Sequence, residues 1–397
     1  MKNSFFSVLL LLVFGTCLQG HSQITSMGFP KEIKSTGDDG KPSMKLEGDS
    51  LFVCCTDGIY SKNLIADSEW EPYAFQGYPL EAFVRHDGVM IATAFNQNKE
   101  NETIVLRSSG KGNTVENITP ESMHFKGTVN SSYYLMPNPD NPKSFAVATA
   151  CGIYFTYDFG NSWERRERMA SLWHGGLICN PSDTTEVVSF GEYITQEGWA
   201  IKYKHYDNED IYVLPGGDNQ LFDYAIHPQK PSLRFLAACN TIGRSTDGGD
   251  AWELTHVEGC LIGKILIDQE KGKVYAIGMK WQNDPDFPAK LASKFIVFLS
   301  DDEGESWTLM YEDDRLQEPQ STSDVYDAML FNNHILILSY FGVYDMTVES
   351  DLSIKDLSRK AIENSFSSTI YDLQGRRLTD KPAKGIYIQN GRKFVVR

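Results

Sequence analysis

Residues 245–252 read STDGGDAW. The spacing has a physical reading. Ser and Asp side chains bond backbone N–H groups inside a tight turn, Gly adopts a backbone geometry that other residues resist, and Trp buries a large apolar face. The stretch recurs as TYDFGNSW at 156–163 and SDDEGESW at 300–307. All three fit [ST]-x-D-x-G-x-x-W, through Thr156, Asp158, Gly160 and Trp163, through Ser245, Asp247, Gly249 and Trp252, and through Ser300, Asp302, Gly304 and Trp307. A degraded copy at 108–115, SSGKGNTV, keeps Ser108, Gly112 and Thr114; another before Trp70 keeps Ser61 and Asn63.

The flanks repeat as well. Each copy follows an apolar run that closes in a turn, then a β-rich run, a break and a short strand, as in SFAVATACGIYFT and SLRFLAACNTIGRS; a fourth strand such as WELTHV comes after the tryptophan. Units of four short strands with a period of roughly 40–50 residues predict a β-propeller. Trp70, Val115, Trp163, Trp252 and Trp307 are 45, 48, 89 and 55 residues apart. The double step implies one blade without the motif, which VVSFGEY and WAIKYKHYDNEDIYVLP supply. Residues 325–346 supply a last unit, so the expectation is seven four-stranded antiparallel blades. Either Ile24–Ile33 or Val348–Leu357 would provide the closing outer strand; the sequence does not choose.

The repeated motif resembles the Asp-box of sialidase-type (BNR) β-propellers. That resemblance implies a turn lock between third and fourth strands, on the face away from any site. The early Phe-Arg-Ile-Pro motif, the arginine triad and the late tyrosine–glutamate pair of sialidases have no counterparts, so the resemblance carries fold and not activity. Xyloglucanase-type glycosidases pair two such propellers, and this chain has room for one.

Lys2, the apolar run Phe5–Phe14 and the small residues Gly20 and Ser22 read as a signal peptide over 1–22. Export to the medium or the cell surface follows. The propeller is expected over 23–352, a polar linker over 353–368 and a β-hairpin tail over 369–397. The tail, with TIYDL, GIYIQ and KFVVR, resembles the end of C-terminal sorting domains of type IX secretion substrates. The net charge of −16 argues against nucleic acid and anionic membranes as partners. No later stretch is long and apolar enough for a membrane helix, and a monomer is expected. The six cysteines after Cys17 sit mostly in apolar strands, as in LFVCC and FLAAC, and are expected as buried free thiols.

Propeller ligands bind at the channel mouth, where the first strands begin. Aligning the blades puts Glu81, Tyr133, His174, Asp223 and Asp327 there, with Arg85 deeper. Long loops joining second and third strands, at 95–102, 192–199 and 279–293, carry Trp199 and Trp281. A glycan site is the sharp reading: Trp173, Trp199 and Trp281 as stacking platforms, and Asp223 and Asp327 as the acid–base pair. No metal or cofactor is expected; Asp284 and Asp286 are a thin basis for calcium. The alternative partner is a cell-envelope protein bound without catalysis.

Overall fold

The computed structural model describes residues 24–33, 42–86, 88–95, 103–109, 114–123, 132–138, 140–141, 143–149, 152–166, 172–193, 198–204, 208–213, 221–284, 287–313, 325–348, 370–371, 385–389 and 392–396. The expected signal peptide and linker lie outside them.

Strand β1 is Ile24–Ser26. The first blade is β2 (Met44–Glu47), β3 (Ser50–Cys55), β4 (Gly58–Asn63) and β5 (Glu71–Ala74). The second is β6 (Leu80–His86), β7 (Val89–Phe95), β8 (Thr103–Ser109) and β9 (Thr114–Asn117). The third is β10 (Ser132–Pro137), β11 (Phe145–Thr149), β12 (Gly152–Thr156) and β13 (Glu164–Arg166). The fourth, without the motif, is β14 (Leu172–Asn180), β15 (Asp183–Tyr193), β16 (Gly198–Lys204) and β17 (Asn208–Val213). The fifth is β18 (Leu221–Ile226), β19 (Arg234–Ala238), β20 (Thr241–Ser245) and β21 (Glu253–His256). The sixth is β22 (Cys260–Asp268), β23 (Lys273–Asp284), β24 (Phe287–Ser300) and β25 (Thr308–Glu312).

The remaining propeller strands, β26 (Val325–Phe331), β27 (His334–Ser339) and β28 (Gly342–Thr347), form a three-strand run whose outer edge is taken by β1. Ile24 pairs with Met346 and Ser26 with Tyr344. The structure departs from the expected seven-bladed ring with a hairpin tail. Six blades are continuous in sequence, and the closing sheet is a composite of the two ends of the propeller segment. The tail, described by itself, is a three-stranded sheet of β29 (Ile370–Tyr371), β30 (Gly385–Gln389) and β31 (Arg392–Val396), not a hairpin.

Burial follows position in the blade. Second strands are sandwiched between neighbouring sheets and read as apolar runs buried on both faces: SLFVCC in β3, RFLAA in β19, HILILS in β27. Outer strands β5, β9, β21 and β25 are only partly buried. None of the described cysteines forms a disulfide with another described residue; Cys54, Cys55, Cys179 and Cys260 are buried and Cys239 is partly exposed.

The three motif copies make the same bonds. The Thr156, Ser245 and Ser300 hydroxyls accept the N–H of Gly160, Gly249 and Gly304 at 2.8, 2.8 and 2.7 Å. Each hydroxyl donates to the motif aspartate, at 2.9, 2.8 and 2.7 Å. Each aspartate then accepts a backbone N–H later in the turn, from Ser162, Ala251 or Ser306. The turn needs two successive residues at positive φ: Phe159 and Gly160, Gly248 and Gly249, Glu303 and Gly304. A Cβ on Gly304 would stand 2.4 Å from the Phe235 ring of the preceding blade. Trp163, Trp252 and Trp307 occupy equivalent places, each in the apolar cluster between its own blade and the one before. Trp70 does the same between the closing sheet and the first blade. Arg107 and Arg244, each directly before the hydroxyl position of its blade, reach the next turn lock and donate to the carbonyls of Phe159 and Glu303, both at 2.9 Å.

Two outcomes test the turn lock. Thr156→Val removes the oxygen that the buried Gly160 N–H requires and should cost about 1–3 kcal/mol, read as a lower urea midpoint with an unchanged slope. The Ser306 hydroxyl and amide and the Ser300 hydroxyl hold the Asp302 carboxyl down to about 2. A lowered folded pKa stabilises the fold above the unfolded value, near 3.9, and that contribution fades as pH falls towards about 2. The melting-temperature gap between wild type and Asp302→Asn should therefore be open at neutral pH and close between about pH 4 and 2; a pH-independent gap would contradict the assignment.

Candidate functional site at the channel mouth

Inner strands begin on the face opposite the turn locks. Six of them, β6, β10, β14, β18, β22 and β26, carry a register shift near that start. The extra residue is Glu81, Tyr133, Gly175, Phe222, Gly263 or Tyr326, and the next residue resumes the ladder: Ala82, Tyr134, Gly176, Asp223, Lys264 or Asp327. Side chains alternate along a strand, so a one-residue offset changes the face presented. The expected alignment of Glu81 and Tyr133 with Asp223 and Asp327 is thus one residue out of step. Glu81 is 1% exposed, and its carboxylate accepts the Thr103 hydroxyl of its own blade at 3.3 Å.

The residues that do align have a shared task. Asp223 Oδ2 accepts the N–H of Ile265, on the next blade, at 2.8 Å. Asp327 Oδ2 accepts the N–H of Met44 at 3.1 Å and so joins the closing sheet to the first blade. The Ser43 hydroxyl accepts the N–H of Phe83 at 3.2 Å, joining the first blade to the second. Between Asp223 and Asp327 stands Lys264, at the same position of the intervening blade. Its ammonium lies 3.2 Å from Asp223 Oδ1 and 3.4 Å from Asp327 Oδ1. The structure therefore brings the two expected carboxylates together around a lysine that the sequence reading did not single out. Lys264 is 24% exposed by side chain and the carboxylates 10% and 15%, so the row is set into the wall of the mouth.

Arg85 lies elsewhere. It pairs with Met90 near the far end of β6, forms an ion pair with Glu47, donates to the Tyr73 hydroxyl at 3.2 Å and stacks over the Phe52 ring. Those contacts tie together the first two blades away from the mouth. Trp281 extends the β23–β24 hairpin opposite Ser293, and its N–H bonds the Gly259 carbonyl at 2.9 Å. Its indole Nε1 is buried and has no acceptor among the described residues. The side chains of Tyr133, Trp173, His174 and Trp199 lie outside the described residues. Backbone register puts His174, Gly191 and Trp199 in one row across the fourth blade, and Trp173, Glu192 and Gly198 in the adjacent row. Asp286 is not among the described residues. No cluster of three or more His, Cys, Asp or Glu placed to hold a metal occurs among those described, and no described helix is long and apolar enough to cross a membrane.

No protein-family model and no curated protein matches the chain. Solved structures do. Selenomethionine-substituted virginiamycin B lyase from Staphylococcus aureus is similar with a TM-score of 0.55 at 12% identity, over 83% of this chain and 100% of that one. A chain of a mitotic checkpoint complex gives 0.58 at 10% identity, over 88% and 100%. An ancestral GH74 enzyme gives 0.45 at 11% identity, over 81% and 38%. The fold is a β-propeller of four-stranded blades.

The inter-blade bonds can be tested apart from function. Asp327→Ala leaves the Met44 N–H without its acceptor and should cost about 1–3 kcal/mol. Asp327→Asn keeps an accepting oxygen and should cost less in the same denaturation experiment. Equal losses would shift the weight from the amide bond to the contact with Lys264.

Proposed function

We propose that the chain is an exported Asp-box propeller that engages a carbohydrate at the channel mouth, with the Asp223–Lys264–Asp327 row as the polar floor of the site. That row is the observation that carries the reading. It presents acceptors and a cation side by side on neighbouring inner strands, as hydroxyl-rich ligands require. Export rests on the N-terminal sequence. The Asp-box resemblance rests on the three motif copies, whose hydrogen bonds coincide.

Binding is better supported than hydrolysis. Each carboxylate spends one oxygen on a backbone N–H and the other on Lys264, whereas glycoside hydrolysis needs one carboxyl free to donate a proton and the other free to act as base or nucleophile. A protein docked at the mouth is the weaker alternative. Among the described residues, the exposed large hydrophobics are Ile65, Tyr157 and Leu309, and none lies on an inner strand.

A glycan array and a hydrolysis panel on the protein test this. The expected outcome is binding of at least one glycan, weakened roughly tenfold or more in Lys264→Ala, without turnover. No glycan bound by the wild type would overturn the reading. Binding unchanged in Lys264→Ala, Asp223→Asn and Asp327→Asn would remove it from this row.

A further inference from the structure

A cavity of about 360 Å³ opens at the seam between the closing sheet and the first blade. It is far from the mouth row in kind as well as place. Its walls are β1, the turn after β4 and the β26–β27 hairpin. These turns belong to the face that carries the turn locks, and three segments distant in sequence are needed to build it.

The groups lining it define a chemistry. His334 Nδ1 bonds Asp345 Oδ1 at 2.8 Å, which fixes the ring and leaves Nε2 without a partner among the described residues. The bond does not use the second carboxylate oxygen of Asp345. Lys62 donates to Asp67 Oδ1 at 2.9 Å and to the Ser68 carbonyl, which leaves one ammonium proton. The Asn332 amide is exposed, on a residue held at a φ of 53°. Donors and acceptors are thus mixed, and the cation of Lys62 is already matched by Asp67. A second carboxylate, Asp345, disfavours an anionic ligand. A purely apolar ligand would strand these polar groups. Apolar surface is nonetheless present on one side: Leu64 and Ile65 from the β4–β5 turn, and Phe331 and Leu336 from the hairpin. Ile65 is 65% exposed, with most of its surface facing nothing in the described residues.

We infer that this seam cavity is a second binding site, for a neutral, hydroxyl-rich molecule the size of a monosaccharide. Its hydroxyls pair with His334, Asp345, Lys62 and Asn332, and its C–H face lies against Ile65 and Phe331. The volume suits one sugar ring, being at the low end of the range for small-molecule sites. The site does not depend on the mouth reading: it shares no residue with the Asp223–Lys264–Asp327 row. Because the ligand would touch both ends of the propeller segment, it should also stabilise the closed ring by mass action.

The test is a panel of neutral monosaccharides, with a uronic acid beside them, read by saturation-transfer NMR and by melting temperature. At least one neutral sugar should bind in the millimolar range and raise the melting temperature. Its affinity should fall roughly tenfold in His334→Ala. Asn332→Gly accepts the same positive φ and removes only the amide, so it should weaken binding without loss of folding. Lys264→Ala should leave this binding unchanged. The inference is overturned if no neutral sugar binds, if the uronic acid binds better than its neutral counterpart, if both seam variants bind like wild type, or if Lys264→Ala abolishes the signal.

Discussion

The propeller depends on a bond that its sheets do not make for themselves. Within a blade, backbone ladders satisfy the strands. Between blades there is no ladder, and an inner strand would leave an amide unpaired towards its neighbour. A side chain at the mouth end of the inner strand accepts that amide: Ser43, directly before β2, for Phe83, and Asp223 and Asp327, each just past a bulge, for Ile265 and Met44. For the two aspartates the bulge is what permits it. By adding one residue near the mouth, it turns the following side chain towards the next blade. The last of the three bonds joins the two ends of the propeller segment and works with the β1–β28 pairing to close the ring.

The same residues then set the chemistry of the mouth. Acceptors placed to hold neighbouring strands also present charge to the channel, and Lys264 between two of them neutralises part of it. Fold and proposed site are therefore not separable, since the groups that a ligand at the mouth would meet are groups that hold the blades in place. On the opposite rim the work is done differently. There the Ser/Thr–Asp–Gly turns lock each hairpin, the tryptophans fill the gap to the previous blade, and Arg107 and Arg244 reach forward to the next turn.

What the sequence discloses follows from how local each feature is. The turn lock is complete within eight residues, so its hydrogen-bond partners are visible as a spaced pattern, and even the blade without the motif is betrayed by a doubled interval. The bulge is not visible, because an extra residue in a mostly apolar strand leaves no mark on composition. That is why Glu81 and Tyr133 align by eye with Asp223 and Asp327 but sit one position away in space. Lys264 is hidden for a related reason: within CLIGKILID it reads as a lone charge in an apolar run. The identity of the closing strand, and the cavity beside it, required chain ends to be brought together, since the walls come from residues near 25, 62–67 and 331–345. Two candidate strands were compatible with the pattern, and pairing with β28 selects Ile24–Ser26.

The central claim is that side chains at the mouth end of the inner strands capture the amides of the neighbouring blade, and amide hydrogen exchange resolved to single residues tests it most directly. The account predicts that Phe83, Ile265 and Met44 exchange as slowly as amides inside the blade ladders, and that Ile265 alone is released in Asp223→Ala while the ladder amides of β22 stay protected. Fast exchange at all three positions in the wild-type protein would contradict it.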